Sequence, residues 1–163
     1  PAGVGGLYVR LEARESLSPT FIGWRSITTN SSGTPTGWQP DGRRYEIATS
    51  AVPLYAGLRD AIALQSTYGT IAERYQQVCD RSADLWQRLS AVPTVKCLRS
   101  TPPEAGLVSF QLDNGKHSSL VQALENKGIF LRTILDPDCV RACVHYFTTE
   151  SEMNRLVEAI KEF

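Results

Sequence analysis

The sequence predicts an α/β protein whose second half is a small, mostly antiparallel sheet with helices on one side. After residue 93, short apolar segments of strand length alternate with segments whose apolar residues recur at helical spacing. Their order is β-β-α-β-β-α, and a long amphipathic helix pattern precedes them. This order of elements is typical of a sheet that buries one face against helices.

Composition and charge narrow the class of protein. The chain has 163 residues, of which 42% are hydrophobic, enough for one sizeable core or for one domain and part of another. Its formal net charge is zero, so no global field attracts it to nucleic acid or to a membrane surface. No apolar run reaches the length of a membrane helix. The four cysteines favour reduced thiols in a cytoplasmic protein over a secreted disulfide scaffold.

The first part of the chain is predicted to hold a strand and a long irregular connection. Residues 7–10 are apolar and follow a glycine-rich start, which favours a chain that begins inside a larger fold. Residues 16–43 are rich in Ser, Thr, Gly and Pro, with little periodicity. Trp24 and Trp38 within this stretch indicate packing under a loop, a pocket wall or an interface.

Two helices are predicted next. The first has a natural N-cap at Thr49 or Ser50, a well-buried apolar pattern and a stop at Gly69. The second begins with the capping box formed by Thr70 and Glu73. Its apolar stripe predicts core positions at Ile71, Tyr75, Val78, Leu85 and Leu89.

The remaining elements build the sheet and its cover. Strands are predicted over residues 95–99, 107–112, 129–133 and 140–147, with helices over 117–127 and after a second capping box at Thr149 and Glu152. An Asp-Pro turn joins the last two strands.

Those last two strands carry the strongest functional signal. Each holds one arginine, Arg132 and Arg141, among residues that favour burial. Burying a guanidinium without an acidic partner costs on the order of several kcal/mol. Either Asp136 and Asp138 neutralise the two arginines, or an anionic ligand such as a small carboxylate does. Spacing alone leaves both alternatives open.

A metal site is not predicted. Cys139, Cys143 and His145 would share one face of an extended strand, but they would spread along it instead of converging on one point.

Four stretches resemble the class V aminotransferase family of fold-type I enzymes, which use pyridoxal 5'-phosphate (PLP). They are PAGVGGLYV at 1–9, GWRSI at 23–27, RYEIAT at 44–49 and LRTILDPDCVRAC at 131–143. Within the family the chain is most similar to the cyanobacterial L-cysteine/L-cystine C–S lyases. The resemblance implies that residues 1–50 are the end of the PLP-binding large domain and its long loop. The resemblance also implies that residues 51–92 are connecting helices and that residues 93–163 form the C-terminal small domain.

The resemblance also implies roles for four residues. Arg141 would hold the substrate α-carboxylate, and Arg132 would be a second carboxylate contact. Thr49 would reach the cofactor phosphate of a neighbouring subunit in a homodimer with a shared active site, since a hydroxyl and free N–H groups at a helix start suit phosphate. An ordinary N-cap is the alternative for Thr49. Trp24 would line the substrate pocket.

No catalytic residue is expected in this chain. The family's Schiff-base lysine lies upstream of the stretch that matches Pro1, and the four lysines here occupy positions typical of exposed surface: Lys96, Lys116, Lys127 and Lys161. We therefore expect the C-terminal portion of an enzyme. It would work with a missing N-terminal half, from the same protein or a companion chain, and be inactive alone.

The implied reaction is β-elimination on cystine or cysteine, which gives pyruvate, ammonia and persulfide or sulfide for sulfur supply, including iron-sulfur cluster assembly. The link between Arg132 and Arg141 is too short for the mobile cysteine loop that a desulfurase needs. Cys139 is more typical of a packed thiol. The alternatives are a cysteine desulfurase or epimerase-like member of the same family, and a non-catalytic interaction fragment.

Overall fold

The computed structural model describes residues 2–163, and the chain divides into two units, Pro1–Thr67 and Tyr68–Phe163. The two helices of the predicted connecting segment fall in different units, and the division at residues 50 and 92 stays a prediction. Among the described residues, no helix combines the length and the apolar character needed to cross a membrane.

The first unit is mostly irregular. It holds α1 (Leu11–Arg14), an antiparallel hairpin of β1 (Ile27–Thr29) and β2 (Pro35–Trp38), a 3₁₀ turn (Gly42–Tyr45) and α2 (Val52–Ser66). The predicted strand over residues 7–10 is wrong. A strand exists by pairing, and no part of residues 2–163 pairs with this segment.

The hairpin corrects the prediction of an irregular connection over residues 16–43. Pro35 and Gly37 in β2 depress strand propensity, so the pattern shows no strand signal. The turn between the strands is held by Asn30, whose side-chain oxygen accepts hydrogen bonds from the backbone N–H groups of Ser32 and Thr34 at 3.0 and 2.9 Å.

Helix α2 differs from its prediction in two ways. Its N-cap is Ala51, which has no side chain able to accept a hydrogen bond, so the predicted cap at Thr49 or Ser50 is wrong. The predicted burial is also wrong, because no α2 residue is buried within the described chain. Apolar spacing gives a helix an apolar face, but burial also needs an element that covers that face. Gly69, at φ +96°, occupies the left-handed region that follows many helix ends.

The second unit is the predicted α+β arrangement. It contains α3 (Ile71–Ser90), β3 (Val95–Cys97), β4 (Leu107–Leu112), α4 (His117–Asn126), β5 (Arg132–Leu135), β6 (Asp138–Cys143) and α5 (Glu150–Lys161). The strands form one sheet in the order β3-β4-β6-β5, and every neighbouring pair is antiparallel. The predicted fold class is confirmed.

One face of this sheet carries the core. Alternate residues of β4 and β6 are buried against side chains from α3, α4 and α5, which places all three helices on the same side. The largest buried side chains are Phe110, Leu85, Leu89, Leu120 and Leu124. Each contributes about 1.5–3 kcal/mol to folding by leaving water.

Both predicted capping boxes are present. The hydroxyls of Thr70 and Thr149 accept from the backbone N–H groups of Glu73 and Glu152, and the two carboxylates accept from the threonine N–H groups in return. These bonds from threonine lower the pKa of both glutamates. The stripe of α3 is only partly core, because Ile71 is 80% exposed and the buried residues lie in the second half of the helix.

The ends of the last two strands differ from the predicted bounds. Leu135 pairs with Asp138, so residues 136–137 form a two-residue turn and both strands continue up to it. Strand β6 ends at Cys143, four residues earlier than predicted, because the following segment turns. His145 N–H donates to the Thr148 hydroxyl at 2.9 Å in that turn.

Candidate functional site

Arg132 and Arg141 are direct cross-strand partners in the β5–β6 hairpin. Side chains at such positions have Cβ atoms about 4.5–5.5 Å apart. Val140 and Ala142, on either side of Arg141, are buried on the helix-covered face, so both arginines belong to the opposite face of the sheet. The sheet therefore presents two like charges side by side, an arrangement that is destabilising until an anion neutralises it.

No internal acid supplies that neutralisation. Among residues 2–163, neither Arg132 nor Arg141 forms an ion pair, and the Nε atom of Arg141 is buried without a hydrogen-bond partner. The Asp138 carboxylate lies 3.1 Å from Nδ1 of His117 instead. The alternative in which Asp136 and Asp138 neutralise the arginines is therefore absent from this structure.

His117 explains why Asp138 is directed away from the arginines. Its buried imidazole accepts a hydrogen bond at Nε2 from the Leu112 N–H at 3.0 Å, so the proton is on Nδ1, facing the carboxylate. Because successive side chains of a strand point to opposite faces, the Asp138 side chain leaves β6 on the face opposite to that of Arg141. No local sequence pattern indicates this contact, which joins the beginning of α4 to the beginning of β6.

The residues next to the arginines are a serine and a buried thiol. Ser109 on β4 is the direct partner of Arg141 on the other side, which places Ser109, Arg141 and Arg132 in one row across the sheet. Burial raises the pKa of the Cys139 thiol, while a hydrogen bond from Ser109 acts in the opposite direction. Cys139 is thus a packed, protonated thiol.

Within residues 2–163 all four cysteines are free, and no cluster of His, Cys, Asp and Glu has a metal-binding arrangement.

In the first unit, the two matching motifs that contain Trp24 and Thr49 pack against each other. Gly23 approaches the backbone of Ile47 so closely that a Cβ atom would lie 1.8 Å from the Ile47 oxygen. The neighbouring Arg25 pairs with Glu46 at 2.9 Å. These contacts fix the stretch around Trp24 to the segment that leads into Thr49.

Thr49 lies in a short segment before α2 whose hydrogen-bond donors have no acceptor among the described residues. Its side chain is exposed, and neither its hydroxyl nor the backbone N–H groups of residues 49–51 bond to any of the described residues. The first turn of α2 has no acidic residue and no side-chain cap. Free N–H groups and a hydroxyl at a helix start suit a phosphate, so these residues fit the phosphate end of PLP.

The aldehyde end of PLP has no counterpart among the described residues. All four lysines are exposed, and Lys127 and Lys161 form ion pairs with Glu162 and Glu158. A nucleophilic lysine is typically desolvated in an apolar pocket, and none of these four side chains is buried in one.

One structural residue was missed from the sequence. Arg44 is buried, and its guanidinium donates to the backbone oxygens of Arg14 at 3.1 Å and Gln39 at 3.3 Å. It stands five residues before Thr49 and anchors the segment that carries it. Its immediate neighbours in the sequence are Arg43 and Tyr45, and nothing local indicates that Arg44 and not Arg43 is the buried arginine.

Comparison with known proteins identifies the family of this chain. The model of the aminotransferase class-V family matches residues 1–156. The chain belongs to the class-V aminotransferase family. The resemblance seen in the four sequence stretches is thereby confirmed. Curated relatives include cysteine desulfurases from Klebsiella pneumoniae, 28% identical over 99% of this chain, and from Synechococcus elongatus, 25% identical over 99%. The chain spans about 42% of the length of the Klebsiella relative and 27% of the Synechococcus one.

Solved structures give a stronger match. The cystine C–S lyase C-DES, in complex with its reaction product cysteine persulfide, is 51% identical over 100% of this chain, with a TM-score of 0.93. A C-DES variant with glycine covalently linked to its PLP cofactor matches equally well. This chain covers 43% of each. The cysteine desulfurase CsdA from Escherichia coli, 21% identical with a TM-score of 0.81, shares the fold.

Proposed function

We propose that this chain is the C-terminal portion of a PLP-dependent carbon–sulfur lyase that carries out β-elimination on cystine or cysteine. The observation that carries the proposal is the cross-strand pair of Arg132 and Arg141, which has no acidic partner among residues 2–163. The similarity to C-DES, 51% identical, supports it.

In this proposal the two arginines hold the substrate by its carboxylates. Arg141 binds the α-carboxylate at the reacting end, since its partly buried guanidinium is the more sheltered of the two. Arg132 is more exposed and binds the second carboxylate of cystine. Planar guanidinium forks bind carboxylates through paired hydrogen bonds, which orient the substrate as well as attract it.

Thr49 and the N–H groups of residues 49–51 hold the cofactor phosphate. In a homodimer with a shared active site, they do so for the neighbouring subunit. When bound, PLP supplies an electron sink that makes loss of the α-proton possible, so that the group on the β-carbon can leave. Trp24, which is 67% exposed within this chain, lines the substrate pocket.

The proton-transferring amine comes from the N-terminal half of the enzyme, since the four lysines of this chain are exposed. Elimination from cystine breaks the Cβ–S bond, and hydrolysis of the remaining fragment gives pyruvate and ammonia. The expelled sulfur group becomes cysteine persulfide; with cysteine as the substrate it is sulfide. The four free thiols support a reducing, cytoplasmic setting for such a sulfur supply.

A cysteine desulfurase is the second candidate, favoured by the Klebsiella relative. A desulfurase needs a cysteine nucleophile that can move to the substrate. Here the two-residue turn between β5 and β6 leaves no loop to carry one, and Cys139 is buried.

Product analysis of the complete enzyme tests the proposal. With cystine or cysteine we expect pyruvate and ammonia, whereas alanine as the main product would identify a desulfurase. We expect Arg141→Lys to lower kcat/KM for cystine by about 100-fold, because a point charge replaces a planar fork. Arg59→Lys, at an exposed ion pair in the first unit, is the matched control. Near-normal turnover by the Arg141 variant would contradict the assignment.

A further inference from the structure

Hydrogen bonds within a tight turn over residues 23–26 hold the backbone of Trp24 in place. Ser26 is fully buried, and its backbone N–H donates to the Gly23 oxygen at 3.0 Å. The Gly23 N–H donates to the Ser26 hydroxyl at 2.8 Å, and that hydroxyl donates back to the Gly23 oxygen at 2.7 Å. Trp24 and Arg25 occupy the two central positions of this turn, so their backbone is fixed even though Trp24 is 67% exposed.

Two side-chain contacts then constrain the indole itself. The guanidinium carbon of Arg25 lies 5.8 Å from the centroid of the Trp24 ring, within the range of a cation–π contact. Nη2 of the same guanidinium is 2.9 Å from Oε2 of Glu46. Arg25 therefore lies over the ring, held in place by Glu46, and leaves most of the indole free for a ligand.

We propose that Glu46 and Arg25 are positioning residues that hold the indole of Trp24 as the wall facing the sulfur atoms of the substrate. The proposal rests on the proposed function, in which Trp24 lines the substrate site. Divalent sulfur makes favourable contacts with aromatic rings, and cystine and cysteine both bring sulfur next to the reacting carbon. An indole that is already oriented loses less conformational entropy when the substrate binds, so the effect falls on substrate affinity.

The experiment uses the complete enzyme labelled with 5-fluorotryptophan. The Trp24 fluorine resonance is assigned by its loss in Trp24→Phe. Glu46→Gln keeps the size of the side chain and removes its charge, while Arg25→Lys keeps a cation and removes the planar group above the ring. Asp41→Asn is the matched control: it breaks an ion pair of the same length, 2.9 Å, in the same unit, and its amide oxygen still accepts the cap bond from Arg43 N–H.

We expect the Trp24 resonance to shift in Glu46→Gln and in Arg25→Lys and to stay in place in Asp41→Asn. The KM for cystine should rise by roughly threefold to tenfold in the first two variants, with kcat changed by less than about twofold. PLP affinity should be unchanged in all three, which separates an effect on Trp24 from a displacement of Thr49.

An unmoved resonance in Glu46→Gln would overturn the proposal, and so would a shifted resonance with an unchanged KM. A wild-type enzyme that forms no pyruvate from cystine would instead defeat the proposed function. In that case the proposed contact between Trp24 and the substrate sulfur would also be wrong. The resonance shift would still show whether Glu46 and Arg25 orient the indole.

Discussion

Replacing Arg132 by glutamine separates two ways in which a pair of arginines can bind cystine. The substitution keeps a polar side chain on the face of β5 opposite to the helices and removes one of two adjacent positive charges. Because no acid within residues 2–163 pairs with Arg132, no carboxylate is left uncompensated. The fold should therefore tolerate the change, and relief of the like-charge contact contributes about 0.2–1 kcal/mol in favour of the variant.

The effect on catalysis should depend on the substrate. A hydrogen bond to a charged group contributes about 1.5–3 kcal/mol, so kcat/KM for cystine should fall by about 10- to 150-fold in Arg132→Gln. Cysteine has only the α-carboxylate, which we assign to Arg141, so its kcat/KM should fall by less than about fivefold.

Initial rates of pyruvate formation with both substrates, measured on the complete enzyme, make this comparison. Arg59→Gln is the control for loss of a positive charge elsewhere on the surface. Equal falls for cystine and cysteine would mean that both arginines serve one carboxylate. Unchanged rates for both would remove Arg132 from the substrate site.

Three further predictions follow from the structure. Thr49→Val should weaken PLP binding by about tenfold, measured by cofactor titration, while the exposed Thr20→Val should not. Gly23→Ala should lower the melting temperature by several degrees because its Cβ would overlap a backbone oxygen, whereas Gly5→Ala has open space. Folding lowers the pKa of Glu152, so its contribution to stability is fully present above the unfolded pKa and is lost progressively as the pH falls through the lower folded pKa. Denaturation midpoints should thus decline less between about pH 5 and 3 in Glu152→Gln.

The parts of the fold that could be predicted are those that depend on local chemistry. Both capping boxes are visible within four residues of sequence, and their threonines form them as expected. The strands and helices of the second unit were found because each carries its own periodicity. The burial of α2 was not predictable in this way, since an apolar face says nothing about which element covers it.

For the candidate site, the residues were visible in the sequence but their arrangement was not. Arg132 and Arg141 stand out as cations among apolar residues, yet their direct pairing depends on the register of the hairpin. The contact between His117 and Asp138 joins two distant segments, and so does the approach of Gly23 to the backbone near Thr49. Contacts between residues that are far apart along the chain produce no local or periodic pattern, so they could not be predicted from this sequence alone.

The two-residue turn at residues 136–137 has a consequence for how such a site can change over evolution. Side chains alternate between the two faces of a strand, so one inserted residue before Arg141 would send its guanidinium into the apolar core unless a bulge absorbed it. Changes of two residues preserve the face but displace one arginine along the sheet from the other. The distance between the two charges is thus set by the register of the hairpin, which the two-residue turn helps to fix.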